Sequence, residues 1–176
     1  PGQYTLTPQR DEFDYIYRTE DLITLKGKKY HKKRNHLKQF QQYASTFSLM
    51  TPDDFDDCIA FSASFYNEKE GYLDSSSVAE QYAIHTFFTH FETLGLQGGV
   101  LRVDGKLVAF TIGEPLNQNT YGVHIEKADV RYQGAYPAIN QAFVEAVAAS
   151  YAYVNREEDL GLEGLRQAKE SYYPAI

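Results

Sequence analysis

Apolar residues return at helical spacing in three parts of the chain. Leu22, Leu25, Tyr30, Leu37 and Phe40 mark the buried positions of a helix that starts near Thr19. Thr19 suits the cap, and Glu20 and Asp21 fall in the first turn, where negative charge is favoured. Gly27 interrupts this stretch at a cost of about 1 kcal/mol relative to Ala, so a kink or break is expected there. Thr51-Pro52-Asp53-Asp54 opens a second helix with a cap residue, a proline at the first helical position and two acids. Phe55, Ile59 and Phe65 would face the core. A polar loop follows from Glu68 to Ser77. Ala83, Ile84, Phe87, Phe88, Phe91 and Leu94 then predict a third helix over 78–94.

Past Gly98-Gly99 the period shortens to two. Val100, Leu101 and Val103 predict a strand, Asp104-Gly105 a two-residue hairpin turn, and Leu107 to Ile112 the returning strand. After a loop at 115–119 comes a third strand, Tyr121 to Glu126. A loop with Gly134 leads to a helix over about 136–150. Tyr151 to Asn155 reads as a fourth strand and Leu162 to Ser171 as a last short helix. Upstream, Tyr15–Tyr17 reads as a short strand within an irregular, charged opening. Helices, then hairpin, strand, helix, strand and helix predict an α/β (α+β) domain, a mixed central sheet flanked by helices. Residues 1–18 read as a lead-in or linker from a preceding part of a longer protein, and 19–176 as the domain. The piece over 121–155 is the expected binding unit, because ligands of such sheets sit beyond the carboxyl end of a strand.

Composition narrows the class. Hydrophobic residues make up 43% of the chain, enough for a packed core. Fifteen tyrosines and no tryptophan imply half-buried rings whose hydroxyls need partners. The single cysteine, Cys58, excludes an internal disulfide and fits a reducing, cytoplasmic setting. No apolar run approaches the roughly 20 residues of a membrane-spanning helix. Net charge is −7, yet Lys26 to Lys38 holds seven Lys/Arg and no acid, which leaves −14 for the rest. That is one basic patch on an acidic protein, and a chain that bound nucleic acid over its whole surface would be basic overall.

Three stretches carry a family resemblance. Leu25-Lys26-Gly27-Lys28-Lys29-Tyr30-His31-Lys32-Lys33-Arg34-Asn35 is the first, and residues 99–110, from Gly99-Val100-Leu101 to Val108-Ala109-Phe110, the second. The third is Val154-Asn155-Arg156-Glu157-Glu158-Asp159-Leu160-Gly161. Together they resemble the C-terminal domain of phosphatidylglycerol lysyltransferases, from about residue 14 onward. The resemblance implies a fold like that of the Gcn5-related N-acetyltransferases (GNAT-like), in tandem, with the chemistry in the C-terminal copy. An N-terminal GNAT-like domain of the same full-length protein is then the expected partner. The best-known members move an amino acid from aminoacyl-tRNA to a lipid head group, and they carry membrane helices of which this chain shows none.

Candidate chemistry falls in four places. The loop Arg131-Tyr132-Gln133-Gly134-Ala135-Tyr136 looks like a degenerate acetyltransferase pyrophosphate loop, with Tyr136 in place of the second glycine. Small residues let backbone N–H groups approach a phosphate at a helix N-terminus, which makes Arg131, Gln133, Gly134, Ala135 and Tyr136 candidates for holding coenzyme A. The bland alternative is a turn that needs a glycine. On the preceding strand, alternation puts Tyr121, Val123 and Ile125 on one face and Gly122, His124 and Glu126 on the other. His124 and Glu126 are thus the expected proton-transfer pair. A one-residue slip would invert these faces. The alternative is a satisfied core histidine and an ion pair from Glu126 to Lys127 or Arg131.

Asn155, Arg156 and Glu157 follow the late strand and could line the site. In the basic run, Lys28, Lys32 and Arg34 could hold phosphates, although charge runs are most often solvated faces. No metal site is expected, since His85 and His90 are five apart and no Cys/His spacing suits zinc.

Two functions fit. One is an acyl- or aminoacyl-group transferase that draws on acyl-CoA or aminoacyl-tRNA and delivers to an amine or hydroxyl. The other is a non-catalytic module on the same fold, binding a phosphate-bearing ligand or a partner domain.

Overall fold

The computed structural model describes residues 4–67 and 75–176. The elements run β1 (Ile16–Arg18), α1 (Thr19–Thr24), α2 (His31–Phe40), β2 (Ser45–Leu49), α3 (Phe55–Asn67), α4 (Ser75–Thr89), β3 (Gln97–Val103), β4 (Lys106–Pro115), β5 (Thr120–Ala128), α5 (Ala135–Val147), β6 (Tyr153–Asn155) and α6 (Glu163–Glu170). The six strands described form one sheet in the order β1-β6-β5-β4-β3-β2. Only β5 and β6 are parallel; every other neighbour pair is antiparallel.

Helices cover both faces. On one, Ile84 and Phe88 of α4 and Cys58 of α3 pack on Val100, Phe110, Ile112 and Ile125. On the other, Ile139, Phe143 and Val144 of α5 pack with α1 and α2 on Leu101, Val108, Tyr121 and Val123. Phe110 and Phe143 are essentially inaccessible, and each such ring contributes about 1.5–3 kcal/mol of burial.

Local signals act as expected at several points. Asp104-Gly105 turns the hairpin with φ 49° and 80°. Thr51 N donates to Asp54 Oδ2 at 3.0 Å, closing the turn that feeds α3. The first helix breaks where Gly27 predicts, with Leu25 at φ 44° and Gly27 at φ 100°. The polar loop predicted over Glu68–Ser77 lies outside the described residues at 68–74, and α4 begins already at Ser75.

Thr19 is not the cap of α1. Arg18 holds that position, and Thr19 N donates to Ala152 O at 3.1 Å, which ties the helix start to the strand beside it. The strand β2 has no counterpart in the sequence reading; its Phe47 and Leu49 alternate with serines in too short a run to register. Residues 16–18, within the stretch read as lead-in, pair with β6. Several tyrosines are buried outright, and their hydroxyls do find partners. Tyr17 donates to Lys169 O at 2.9 Å and Tyr30 to Tyr172 O at 3.0 Å.

Candidate functional site

The sheet opens in its middle. β5 and β6 pair over Thr120–Gly122 and Tyr153–Asn155 only, while β5 runs on to Ala128. Beyond Asn155 the chain follows β1 instead: Arg156 N donates to Tyr15 O at 3.0 Å and Tyr15 N to Glu157 O at 3.1 Å. Glu157 then turns the chain at φ 59°, helped by its N–H donating to Asn155 Oδ1 at 2.7 Å. Lys169 of α6 donates to the carbonyls of Arg156, Glu157 and Glu158, which fixes the turn. The result is a cleft between β5 and the Arg156–Asp159 segment, at the carboxyl end of both strands.

Two charged groups bridge this cleft, one toward each face. Toward α5, Glu126 Oε1 accepts from Arg156 Nη2 at 2.7 Å and Oε2 from Asn140 Nδ2 at 2.7 Å. Both ends of the ion pair are nearly inaccessible, at 12% for the Arg156 side chain and 10% for Glu126. The guanidinium lies against the rings of Tyr17 and Tyr172, with its carbon 5.7 and 4.9 Å from their centroids. Arg156 Nη1 and Asn140 Oδ1 are buried with no hydrogen-bond partner among the described residues. An unsatisfied donor and acceptor in low dielectric each cost about 1–3 kcal/mol, so these two atoms have the most to gain from a further partner.

Toward α4, His124 is held between two carboxylates. Its Nδ1 lies 2.6 Å from Glu157 Oε1 and its Nε2 3.1 Å from Glu114 Oε1, with the ring on Phe87. The bond to Glu157 is the larger cause that raises its pKa, against burial. Each ring nitrogen thus faces one carboxylate, and the ring clamps Glu157 to Glu114. The two carboxylates bind opposite ends of one ring and so do not converge on an ion. No described group of three or more His, Cys, Asp or Glu is arranged to hold a metal.

His124 and Glu126 therefore do not share a face, contrary to simple alternation. The β4–β5 register steps from Ile112↔Ile125 to Gly113↔Val123, leaving His124 opposite no residue. This bulge puts His124 and Ile125 on the α4 side together and returns Glu126 to the α5 side. Nor does Glu126 pair with Lys127 or Arg131; its partners are Arg156 and Asn140.

The Gly134 loop is occupied by packing. Gly134 is at φ 90°, and a Cβ there would stand 2.1 Å from His36 O, so glycine is required for α2 to rest on α5. Ala135 N donates to Tyr132 O, and Pro137 has no N–H to offer. Arg131 chelates Asp129 at 2.8–3.1 Å, Gln133 is exposed, Ala135 is buried and Tyr136 is 39% exposed. In the basic run, Lys28 and Lys32 are exposed. Arg34 is a structural cap instead, donating to Leu25 O at 2.5 Å and Gly27 O at 2.7 Å.

The sequence reading passed over Lys33, Lys169, Tyr17, Asn140, Glu114 and Tyr172, all of which meet at the cleft. Lys33 had a legible signal. It falls on the buried stripe Tyr30–Lys33–Leu37–Phe40, where a cation is out of place. Its ammonium lies 3.8 Å from the Tyr172 ring centroid, and burial together with Arg156 lowers its pKa to about 8. Burial likewise lowers Lys169 to about 8.

Comparison with known proteins agrees with the fold. An uncharacterized protein of Mycoplasmoides gallisepticum is 26% identical over 170 residues, covering 92% of this chain and 52% of its own length. The chain thus spans about half the length of that relative. A conserved protein of unknown function from Bacteroides thetaiotaomicron is 45% identical with a TM-score of 0.87, over 97% of this chain and 58% of that one. A ribosomal-protein-alanine N-acetyltransferase from Brucella melitensis shares the fold, at 20% identity and a TM-score of 0.52, over 76% of this chain and 93% of its own. The family described as phosphatidylglycerol lysyltransferase, C-terminal, matches residues 2–176, and this chain belongs to it.

Proposed function

We propose that this domain is an acyl- or aminoacyl-group transferase that works chiefly by positioning. The observation that carries the reading is the buried, unpartnered Arg156 Nη1 in the cleft between β5 and β6. An acyl transfer builds negative charge on the carbonyl oxygen as the acceptor attacks, and a fixed donor in a dry site stabilises that charge. Glu126 and Asn140 orient the guanidinium, and the Tyr17 and Tyr172 rings hold its plane. Glu126 acts here as the orienting carboxylate and not as a base, because both of its oxygens already accept. The His124 clamp sets the width of the cleft from the other face.

The crowding at Gly134 favours aminoacyl-tRNA over acyl-CoA as donor, and the exposed Lys28 and Lys32 suit its phosphates. Such a donor places the reaction in the cytoplasm. No helix among the described residues is long and apolar enough to cross a membrane. The remainder of a longer protein, of the length its relatives have, is the expected partner domain.

The test is thermal stability of the full-length protein with charged tRNA, uncharged tRNA, acetyl-CoA and CoA added separately. A ligand that binds only the folded state raises the melting temperature. Charged tRNA should raise it and Arg156→Met should remove that response. A shift with CoA alone would point to plain acetyl transfer. No shift with any of them would leave the second reading, a non-catalytic module, which the closed phosphate loop favours.

A further inference from the structure

An acceptor amine or hydroxyl must lose a proton as it attacks, and the cleft offers few groups to take it. Glu126 accepts two hydrogen bonds and balances Arg156. His124 is held between two carboxylates. Lys169 spends its three donors on three carbonyls. Lys33 differs from all of these. None of the described residues accepts a hydrogen bond or an ion pair from its ammonium, which rests on the Tyr172 ring that also carries the Arg156 guanidinium. Two cations thus share one ring beside a single carboxylate, Glu126. The surplus positive charge is relieved if Lys33 sheds its proton.

We propose that Lys33 is the proton acceptor of the transfer, a role that rests on the transferase reading above. The neutral Lys33 amine takes the proton of the incoming amine or hydroxyl as that group's lone pair attacks the acyl carbonyl. The new N–C or O–C bond forms, the bond from the carbonyl to the leaving oxygen breaks, and that oxygen keeps the electron pair. Lys33 returns the proton to it. No oxidant or further reactant is required. Arg156 has a double part: its Nη1 faces the developing charge, and its own charge keeps Lys33 from holding a proton tightly. Groups facing Lys33 are Arg156 after β6, Glu126 of β5 and Tyr172 after α6; Arg156 opposes its charged form and Glu126 favours it. Burial adds to the first, and the balance puts the amine at about 8, within reach of neutral working pH.

The experiment compares native full-length protein with Lys33→Arg and Lys33→Met, in turnover and in amine reactivity. Arginine keeps the charge but cannot act as a base. At pH 7.5 both variants should lose at least about a hundredfold in kcat with little change in KM, and the rise in rate approaching pH 8 should vanish. Full turnover by Lys33→Arg, with the pH profile unmoved, overturns the proton role alone. Absence of turnover by native protein with every donor overturns the transferase reading and the proton role together. A second arm needs no donor: competitive amine labelling from pH 6 to 11, read by mass spectrometry. Lys33 should half-react near pH 8, and half-reaction near the ordinary lysine value of about 10.4 also overturns the proposal.

Discussion

At the scale of single residues, the cleft rests on charges that leave water only in company. Glu126 and Arg156 are buried together, and breaking such a pair by removing one partner costs about 3–5 kcal/mol. Arg156→Met should destabilise the domain by that order in urea, and Glu126→Gln added to it should cost little more. Strict additivity in this double-mutant cycle would mean that the two side chains are not coupled. Asp159 makes a second centre. Its side chain is inaccessible and accepts from Tyr15, Arg166 and the Gly161 N–H, joining the opening segment to the loop before α6. The Arg166 guanidinium holds the Asp159 carboxyl well below the usual range. A depressed carboxylate contributes stability that is complete above the unfolded value of about 3.9 and is lost as pH falls through the native one. The urea midpoint should therefore drop as pH falls below about 4, and Asp159→Asn, weaker at pH 7, should show a smaller drop.

At the scale of elements, two glycines at positive φ separate conformational strain from contact. Gly105 stands at φ 80° with nothing within 4 Å of a Cβ, whereas Gly134 at φ 90° has His36 O at 2.1 Å. Gly105→Ala should cost about 1–2 kcal/mol, the ordinary penalty of a left-handed residue. Gly134→Ala should cost clearly more, because α2 must also lift from α5. Equal losses in denaturant would show that the α2–α5 contact yields freely. Much of the element pattern was legible in short-range signals: Asp104-Gly105 for the hairpin, Thr51-Pro52 for α3, Gly27 for the break after α1. The His124 bulge was not, because it exists only in register with β4, whose partner residues lie ten or more positions away. Nor was the departure of β6 from β5, which depends on pairing with Tyr15 at the far end of the chain.

Over the whole molecule, pH dependence has a sign that follows from what is buried. Lys33 and Lys169 lose protons at about 8 in the folded state, while unfolded lysine holds its proton to about 10.4. The unfolded chain then binds more protons in that window, so stability should rise from pH 8 toward 10. Above about 10 the sign reverses, because burial raises Tyr17, Tyr121 and Tyr172 and the folded state keeps protons that unfolded tyrosine gives up. A denaturation series across pH 7–11 should show this maximum, and Lys33→Met should flatten its lower slope. A monotonic fall would place both lysines in water.

The sequence by itself determined the order of helices and strands apart from β2, the hairpin, the mixed sheet and the family, since periodicity, turn residues and caps act over a few positions. It also marked the basic segment and the strand ends as the places for chemistry. Only the tertiary structure decided which of those charges are buried and what they meet. Lys33 and Arg156 are surface-like residues in composition, and they become buried neighbours because Tyr172, more than a hundred residues from Lys33, closes over both. Burial and pairing are properties of residues brought together from distant positions, and local pattern carries no record of which distant residue will arrive.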